Sequence, residues 1–264
     1  MTQSAESLHK LSNTKSVSKT LAILSTFNEA TPRQRTSDIA AKLGLNISTV
    51  SRHLNTLLDW GYLERDDVTG FYYPGLEIIA LAGATLQSHD VYRHSYPELL
   101  LLSNKFGVYS HMGVPRDTNI IHLICCPADG TMEQLIPMGH SHPMYCSAMG
   151  RAILPYLPAA KVQDILKRSN RQKYTEHTKV EIQDILKELD LVKQQGYCGL
   201  FNELTVGKGS FSAPVFDRNR NPVAAISISA SSHRLSQPDI APELIKAVIT
   251  TALKISGKLG YYPK

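Results

Sequence analysis

Residues 36–65 read TSDIAAKLGLNISTVSRHLNTLLDWGYLER, and this stretch decides how the chain begins to fold. Thr36 or Ser37 can cap a first helix, and Gly44 is placed to end it. Leu45 and Asn46 complete a tight turn, and a second helix runs from about Ile47 to Asp59. Val50, Leu54, Leu57 and Leu58 share one face of that helix, which leaves Thr49, Ser51, Arg52 and Asn55 facing outward. Two short helices across a tight turn can lay the second helix in a DNA major groove. Ser48, Thr49 and Ser51 make a short polar tip through which the backbone can approach a groove. Arg52, just behind them, can fork onto guanine or a phosphate. The alternative is a small three-helix packing unit, or a winged helix that binds protein.

The flanks agree with the DNA reading. Downstream, Tyr62–Glu64 and Phe71–Tyr73 read as two arms of a hairpin joined through Asp67–Gly70, a wing stopped by Pro74 and Gly75. Upstream, residues 15–28 place Val17, Leu21, Leu24 and Phe27 at helical spacing. Residues 1–58 carry seven cations against three acids, the local sign that phosphate contact needs. Arg33 and Arg35 precede the first helix of the motif, where they can grip phosphate or stay solvated. Asp66 and Asp67 beside Arg65 argue against a deep contact by the wing tip. The expected DNA-contact set is Arg33, Arg35, Thr36, Asn46, Ser48, Thr49, Ser51, Arg52 and Asn55.

A chain of 264 residues with 42% hydrophobic and 19% charged residues can hold two globular domains with real cores. The net charge of +5 permits nucleic-acid binding without indicating it. Residues 1–16 lack the apolar core of a signal peptide, and no apolar run reaches the ~18 residues of a membrane span. The four cysteines are irregularly spaced and include the adjacent pair Cys125–Cys126, a poor disulfide. A reducing cytoplasm is the expected location. The expected division is a mobile tail at 1–13, a DNA-binding domain at 14–75, an apolar linker helix at 76–89 and a larger domain at 90–264. Helix 76–88 has no partner of its own, so a second copy of itself is a natural cover.

In the larger domain, helices are expected at 92–106, 147–157 (broken at Leu154-Pro155), 159–168, 178–195 and 238–258. Strands are expected at 108–114, 119–126, 132–136, 209–216 and 223–231. Without a strict βαβ rhythm this is an α+β pattern with an antiparallel sheet. In 224–231, AAISISAS, alternation puts Ala225, Ser227, Ser229 and Ser231 on one face and Ile226 and Ile228 on the other. A row of small hydroxyls suits the floor of a site for a small polar ligand; the other reading is a solvated face. Residues 139–152, GHSHPMYCSAMGRA, read as a loop entering a helix. Cys146, Ser147 and Ala148 would offer N–H groups to a carboxylate there, unless the helix start is simply packed.

Other chemistry finds little support. Gly207-Lys208-Gly209-Ser210 lacks the spacing of a phosphate loop. His140-Ser141-His142 with Cys146 and Cys198 matches no familiar zinc spacing, so neither a metal nor a cofactor is expected. Cys146, Ser147 and His177 supply catalytic residue types without a nucleophile motif, which speaks against an enzyme.

Ordered motifs across the chain resemble the IclR family of bacterial transcription regulators. They are SVSKTLAIL, the 36–65 block, YYPGLEIIALA, PMYCSAMGRAILPYLP, the run from Gln194 to Gly207, APVFD at 213–217 and AAISIS. The resemblance implies a winged helix-turn-helix domain, a linker helix and a GAF-like effector-binding domain. It implies dimers, often paired into tetramers, on pseudo-palindromic operators. It also implies an organic-acid or aromatic effector and repression or activation of a catabolic operon. Family effector positions fall on His142, Ala148, Leu200, Ser210, Ser227 and Ser229. Leu200 stands where the family often has an acid, which removes a charged ligand contact. Lys19 and Arg151 stand where arginine and lysine are frequent.

Overall fold

Gly44 adopts φ 64°, a left-handed conformation that favours glycine, and so ends α2 (Thr36–Leu43) and opens the turn into α3 (Ile47–Asp59). Neither Thr36 nor Ser37 caps α2, contrary to expectation. The helix begins one residue earlier, and the Asp38 carboxylate reaches back to accept the Arg35 N–H at 3.0 Å. Asn46 does more than complete the turn: its Oδ1 accepts the Thr49 N–H at 2.8 Å and caps α3.

The computed structural model describes residues 15–127 and 136–262, in two compact units that meet between Ser88 and His89. In the first unit α1 (Lys15–Leu24) packs with α2 and α3 around Ile23, Ile39, Val50, Leu54 and Leu57, with Leu63 and Tyr72 contributed by the wing. The buried stripe of α1 differs from the expected one. Ile23 is buried, with Leu24 and Phe27 beside it, while Val17 and Leu21 stay exposed. The helix carries two apolar stripes, and the three-helix core accepts only one. The wing pairs β1 (Leu63–Arg65) with β2 (Tyr72–Pro74), and an isolated bridge, Gln34↔Tyr72, ties the segment before α2 to it. Along α4 (Leu76–Ser88) no residue is buried; Leu76, Ile79 and Leu81 are 72%, 67% and 55% exposed.

The second unit is built on a six-stranded antiparallel sheet ordered β5-β4-β3-β8-β7-β6. Its strands are β3 (Tyr109–Arg116), β4 (Asn119–Cys126), β5 (Ser141–Pro143), β6 (Cys198–Phe201), β7 (Lys208–Phe216) and β8 (Pro222–Ser231). The short edge strands β5 and β6 were not expected. The strand expected at 132–136 lies outside the described residues except for Ile136, which is not in a strand. Ile226 and Ile228 bury one face against α5 (Asp90–Phe106) and α10 (Ala241–Lys258), through Leu99, Leu102, Leu244, Val248 and Ile255. Those two helices are also tied by Glu98, which accepts from Lys254 at 2.8 Å and Lys258 at 2.7 Å. On the other face, Ile120 and Ala225 pack with α6 (Ala148–Ile153), α7 (Ala159–Arg168) and α8 (Ile182–Gln195). A single turn, α9 (Ser232–Leu235), follows β8. No helix among the described residues is long and apolar enough to cross a membrane.

One irregularity shapes the second face. Met112 pairs with Ile124, yet the next residue, Gly113, pairs with His122, so Leu123 is an extra residue in β4. Such a bulge reverses the facing of everything beyond it. Ile124 and Cys126 accordingly join the core against α5, while Ile120 joins the core against α6. His122, two residues from Ile120, turns with it.

The entry into α6 is equally tight. A Cβ on Gly150 would stand 2.3 Å from Met144 Cα and 2.4 Å from Met144 O. Gly150→Ala should therefore cost about 1–3 kcal/mol of stability, as overpacking does. Urea unfolding of the second unit measures it, and an unchanged midpoint would mean that the Met144 backbone yields freely.

Candidate functional site

Two surfaces carry the residues expected to act. On α3, Ser48, Arg52 and Asn55 are exposed, and Thr49 and Ser51 are half-buried. Ser48 Oγ donates to Asn46 Oδ1 at 3.1 Å, so the tip of the helix is fixed by its own cap. His53, on the inner side of α3, sits 2.9 Å from Thr20 Oγ1 of α1. Burial, then the charges of Arg52 and Lys19, hold its imidazole below the usual value and so neutral at pH 7. This link between α1 and the reading helix was not expected from the sequence.

The second surface is the sheet face turned toward α6. Directly paired residues of neighbouring strands point to the same side. One row runs Leu200, Ser210, Ser229, Tyr109, and two residues along lies Cys198, Ser212, Ser227, His111, Cys125. Leu200, Ser210, Ser227 and Ser229, four of the positions expected from sequence, thus share one face, and the serine row of β8 is exposed only at Ser231. Ser227 is buried, and Ser229, Ser210 and Leu200 are half-buried.

Four histidines continue this face toward its β5 edge. His111 Nε2 lies 2.8 Å from Ser229 Oγ. His111 meets His122 edge to face at 5.8 Å between ring centroids. His122 Nε2 lies 3.0 Å from His142 Nδ1, and His142 Nε2 lies 3.1 Å from His140 Nε2. His142 was expected here. His111 and His122 were not, and only the bulge in β4 brings His122 to this side. Both are buried, and the Nδ1 atom of each has no hydrogen-bond partner among the described residues. Burial, aided by the neighbouring imidazoles, pushes His111 down to about 4 and His122 down to about 2. Both rings are therefore neutral at pH 7, with a polar nitrogen left to offer.

The loop–helix segment is more closed than expected. Ser147 is buried and its Oγ accepts the Gly150 N–H at 3.3 Å, capping α6. Cys146 and Ala148 are buried in the core against α6. Burial pushes the Cys146 and Cys198 thiols up to about 12, so neither is a thiolate at neutral pH. Arg151, fully buried, braces the segment. Its Nε donates to Tyr145 O at 2.6 Å, and its two terminal nitrogens clamp Glu203 at 2.7 and 2.8 Å. A second carboxylate, Glu188, meets the same guanidinium. Among the described residues no group of three His, Cys, Asp or Glu side chains is arranged to hold a metal ion.

A reading helix with a wing in one unit, and a serine- and histidine-lined face in the other, define a DNA-binding regulator with a sensor domain. Residues 16–67 match the family described as IclR helix-turn-helix domain, and residues 83–257 match bacterial transcriptional regulator IclR C-terminal. The chain is 30% identical to the glycerol operon regulatory protein of Streptomyces coelicolor over 251 residues, covering 94% of this chain and 97% of that protein. The fold is that of an IclR transcriptional regulator from Alicyclobacillus acidocaldarius, with TM-score 0.84, 23% identity and coverage of 94% and 100% of the two chains. It is also that of an IclR homologue from Microbacterium hydrocarbonoxydans complexed with 4-hydroxybenzoate, with TM-score 0.80, 17% identity and coverage of 92% and 98%. The chain belongs to the IclR family: it is a DNA-binding transcription regulator with a C-terminal effector-binding domain, and not an enzyme.

The buried histidines set a pH dependence. Their folded values lie below the ordinary 6.5, so below that pH the unfolded chain takes up protons that the folded chain refuses. The stability they confer is complete above pH 6.5 and is lost as the pH falls toward 4 for His111 and toward 2 for His122. Between pH 7 and pH 5 the loss should be about 2 kcal/mol per histidine. Urea unfolding at both pH values should show a smaller loss for His122→Gln than for wild type. Equal losses would assign the acid sensitivity elsewhere.

Proposed function

We propose that the chain is a homodimeric chemical switch, able to pair into tetramers, that controls a catabolic operon from the cytoplasm in response to a small organic or aromatic acid. The exposed apolar residues Val17 and Leu21 of α1 and Leu76, Ile79 and Leu81 of α4 support self-association. Arg33, Arg35, Thr36, Asn46, Ser48, Thr49, Ser51, Arg52 and Asn55 are the proposed DNA contacts. Asn46 acts chiefly by holding the tip through its cap.

The observation that carries the effector reading is the concentration of buried and half-buried hydroxyls and imidazoles on one sheet face. A small acid seated there meets Ser227 and Ser229, with Ser210 and Leu200 on one side and His111, His122, His140 and His142 on the other. The unpartnered Nδ1 atoms of His111 and His122 favour a ligand with its own polar groups. Cys146, Ser147 and Ala148, all buried, serve as the packed wall. The relatives add support: one carries the name of a glycerol operon regulator and another holds 4-hydroxybenzoate. Binding acts by favouring one of two states that differ in DNA affinity, and a coupling of about 1–3 kcal/mol changes operator affinity about 5–150-fold.

The test begins with a thermal-shift screen of aromatic and sugar acids, and with an operator selected from a random duplex pool. Ser227→Val with Ser229→Val should abolish the effect of the identified acid on operator affinity while leaving DNA binding intact. A double variant that responds as wild type does would remove the effector site from this face.

A further inference from the structure

The wing holds a second, more specific device. Gln34 is bridged to Tyr72 through two backbone hydrogen bonds, Gln34 N–H to Tyr72 O at 3.0 Å and Tyr72 N–H to Gln34 O at 2.9 Å. Its side chain is buried and donates to Thr26 Oγ1 at 3.0 Å. In an antiparallel bridge this register sets Arg33 opposite Tyr73 and Arg35 opposite Phe71, with all four side chains on one face. The cation–ring contacts follow that register: Arg33 lies 4.9 Å from the centre of the Tyr73 ring and Arg35 4.8 Å from that of Phe71. Both arginines are exposed, Arg33 at 60% of its side chain.

The wing carries acids as well as cations. Glu64 stands opposite Tyr73 on β1, and Asp66 and Asp67 occupy the tip. Asp66 spends Oδ1 on the Val68 and Thr69 N–H groups and stands 3.8 Å from Arg33. Arg33 and Arg35 line the outer edge, where Arg33 forms an ion pair with Asp66, and Arg65 on β1 adds a third cation, 5.5 Å from the centre of the Tyr72 ring. The edge that carries Arg33 and Arg35 is the side of the wing that attracts phosphates.

We infer that Arg33 and Arg35 form a two-point clamp for the phosphodiester backbone of DNA, with Tyr73 and Phe71 as positioning residues that hold the guanidiniums ready. The inference rests on the DNA-binding reading of the first unit and adds which edge of the wing meets the duplex. Residues two apart on a strand are separated by about 7 Å, which lets the two cations serve neighbouring phosphates of one DNA strand. Stacking removes rotamer freedom that binding would otherwise have to freeze. Because phosphates carry no sequence information, the clamp raises affinity on any duplex and leaves base choice to α3.

Fluorescence anisotropy of the full chain on a random-sequence duplex of about 30 base pairs, across salt concentrations, tests this. Each phosphate contact contributes about 0.9 to the slope of log affinity against log salt. Arg33→Ala with Arg35→Ala should lower the slope by about 1.8 per bound protomer. Tyr73→Leu with Phe71→Leu should weaken binding about 3- to 10-fold and leave the slope as in wild type, because the charges remain. Tyr73→Phe with Phe71→Tyr, which keeps both rings, should restore wild-type affinity. Should the leucine pair melt early, Tyr73→Leu alone reads the same effect on a half-buried ring. An unchanged slope in the double alanine variant overturns the clamp. Wild-type affinity in the leucine variant overturns the positioning role. Wild-type protein that binds no duplex at low salt would instead sink the DNA-binding reading itself.

Discussion

The extra residue at Leu123 is the constraint on which the sensor domain depends. An antiparallel sheet with helices on both faces assigns each strand residue to one core or the other by parity alone. Without the bulge, His122 and Ile120 would join Ile124 and Cys126 on the face packed against α5 and α10. With it, Ile120 closes the α6 side and His122 stands between His111 and His142. One inserted residue therefore puts His122 on the same side of the sheet as His111 and His142.

That face is expensive to maintain. Two buried imidazoles each keep a ring nitrogen without a partner among the described residues, and such atoms destabilise a fold by about 1–3 kcal/mol apiece. The surrounding structure holds them in place. Arg151, between Tyr145 and Glu203, locks the segment entering α6, and Gly150 lets α6 lie directly on Met144. A protein that only needed to oligomerise could fill this face with aliphatic side chains. Retaining hydroxyls and neutral imidazoles there is consistent with a face that exchanges its partners when a polar ligand arrives.

The sequence made the reader domain legible because its signals are local. The 3.6-residue spacing of α3, Gly44 at a left-handed turn and the aromatics of the wing all act within about thirty residues. Its misreadings were local too. Asp38 caps α2 from within, and α1 shows two apolar stripes of which only packing selects Ile23 over Val17 and Leu21. In the sensor domain, alternation in residues 224–231 exposed Ser227 and Ser229, since β8 is regular over that span. His111 and His122 stayed hidden because they come from separate strands and because a bulge has no sequence signature in VPRDTNIIHLICC. The start of α6 looked open from its small residues, and the tertiary contact of Gly150 with Met144 closes it.

The two units are separate in their cores, so the claim that binds them is energetic. If the acid on the sensor face controls DNA binding, linkage requires the reverse, by the same factor. The direct measurement is calorimetric titration of the identified acid into free protein and into the protein–operator complex. The ratio of the two acid affinities should equal the ratio of operator affinities with and without the acid. Equal acid affinity in the free and DNA-bound protein would contradict it.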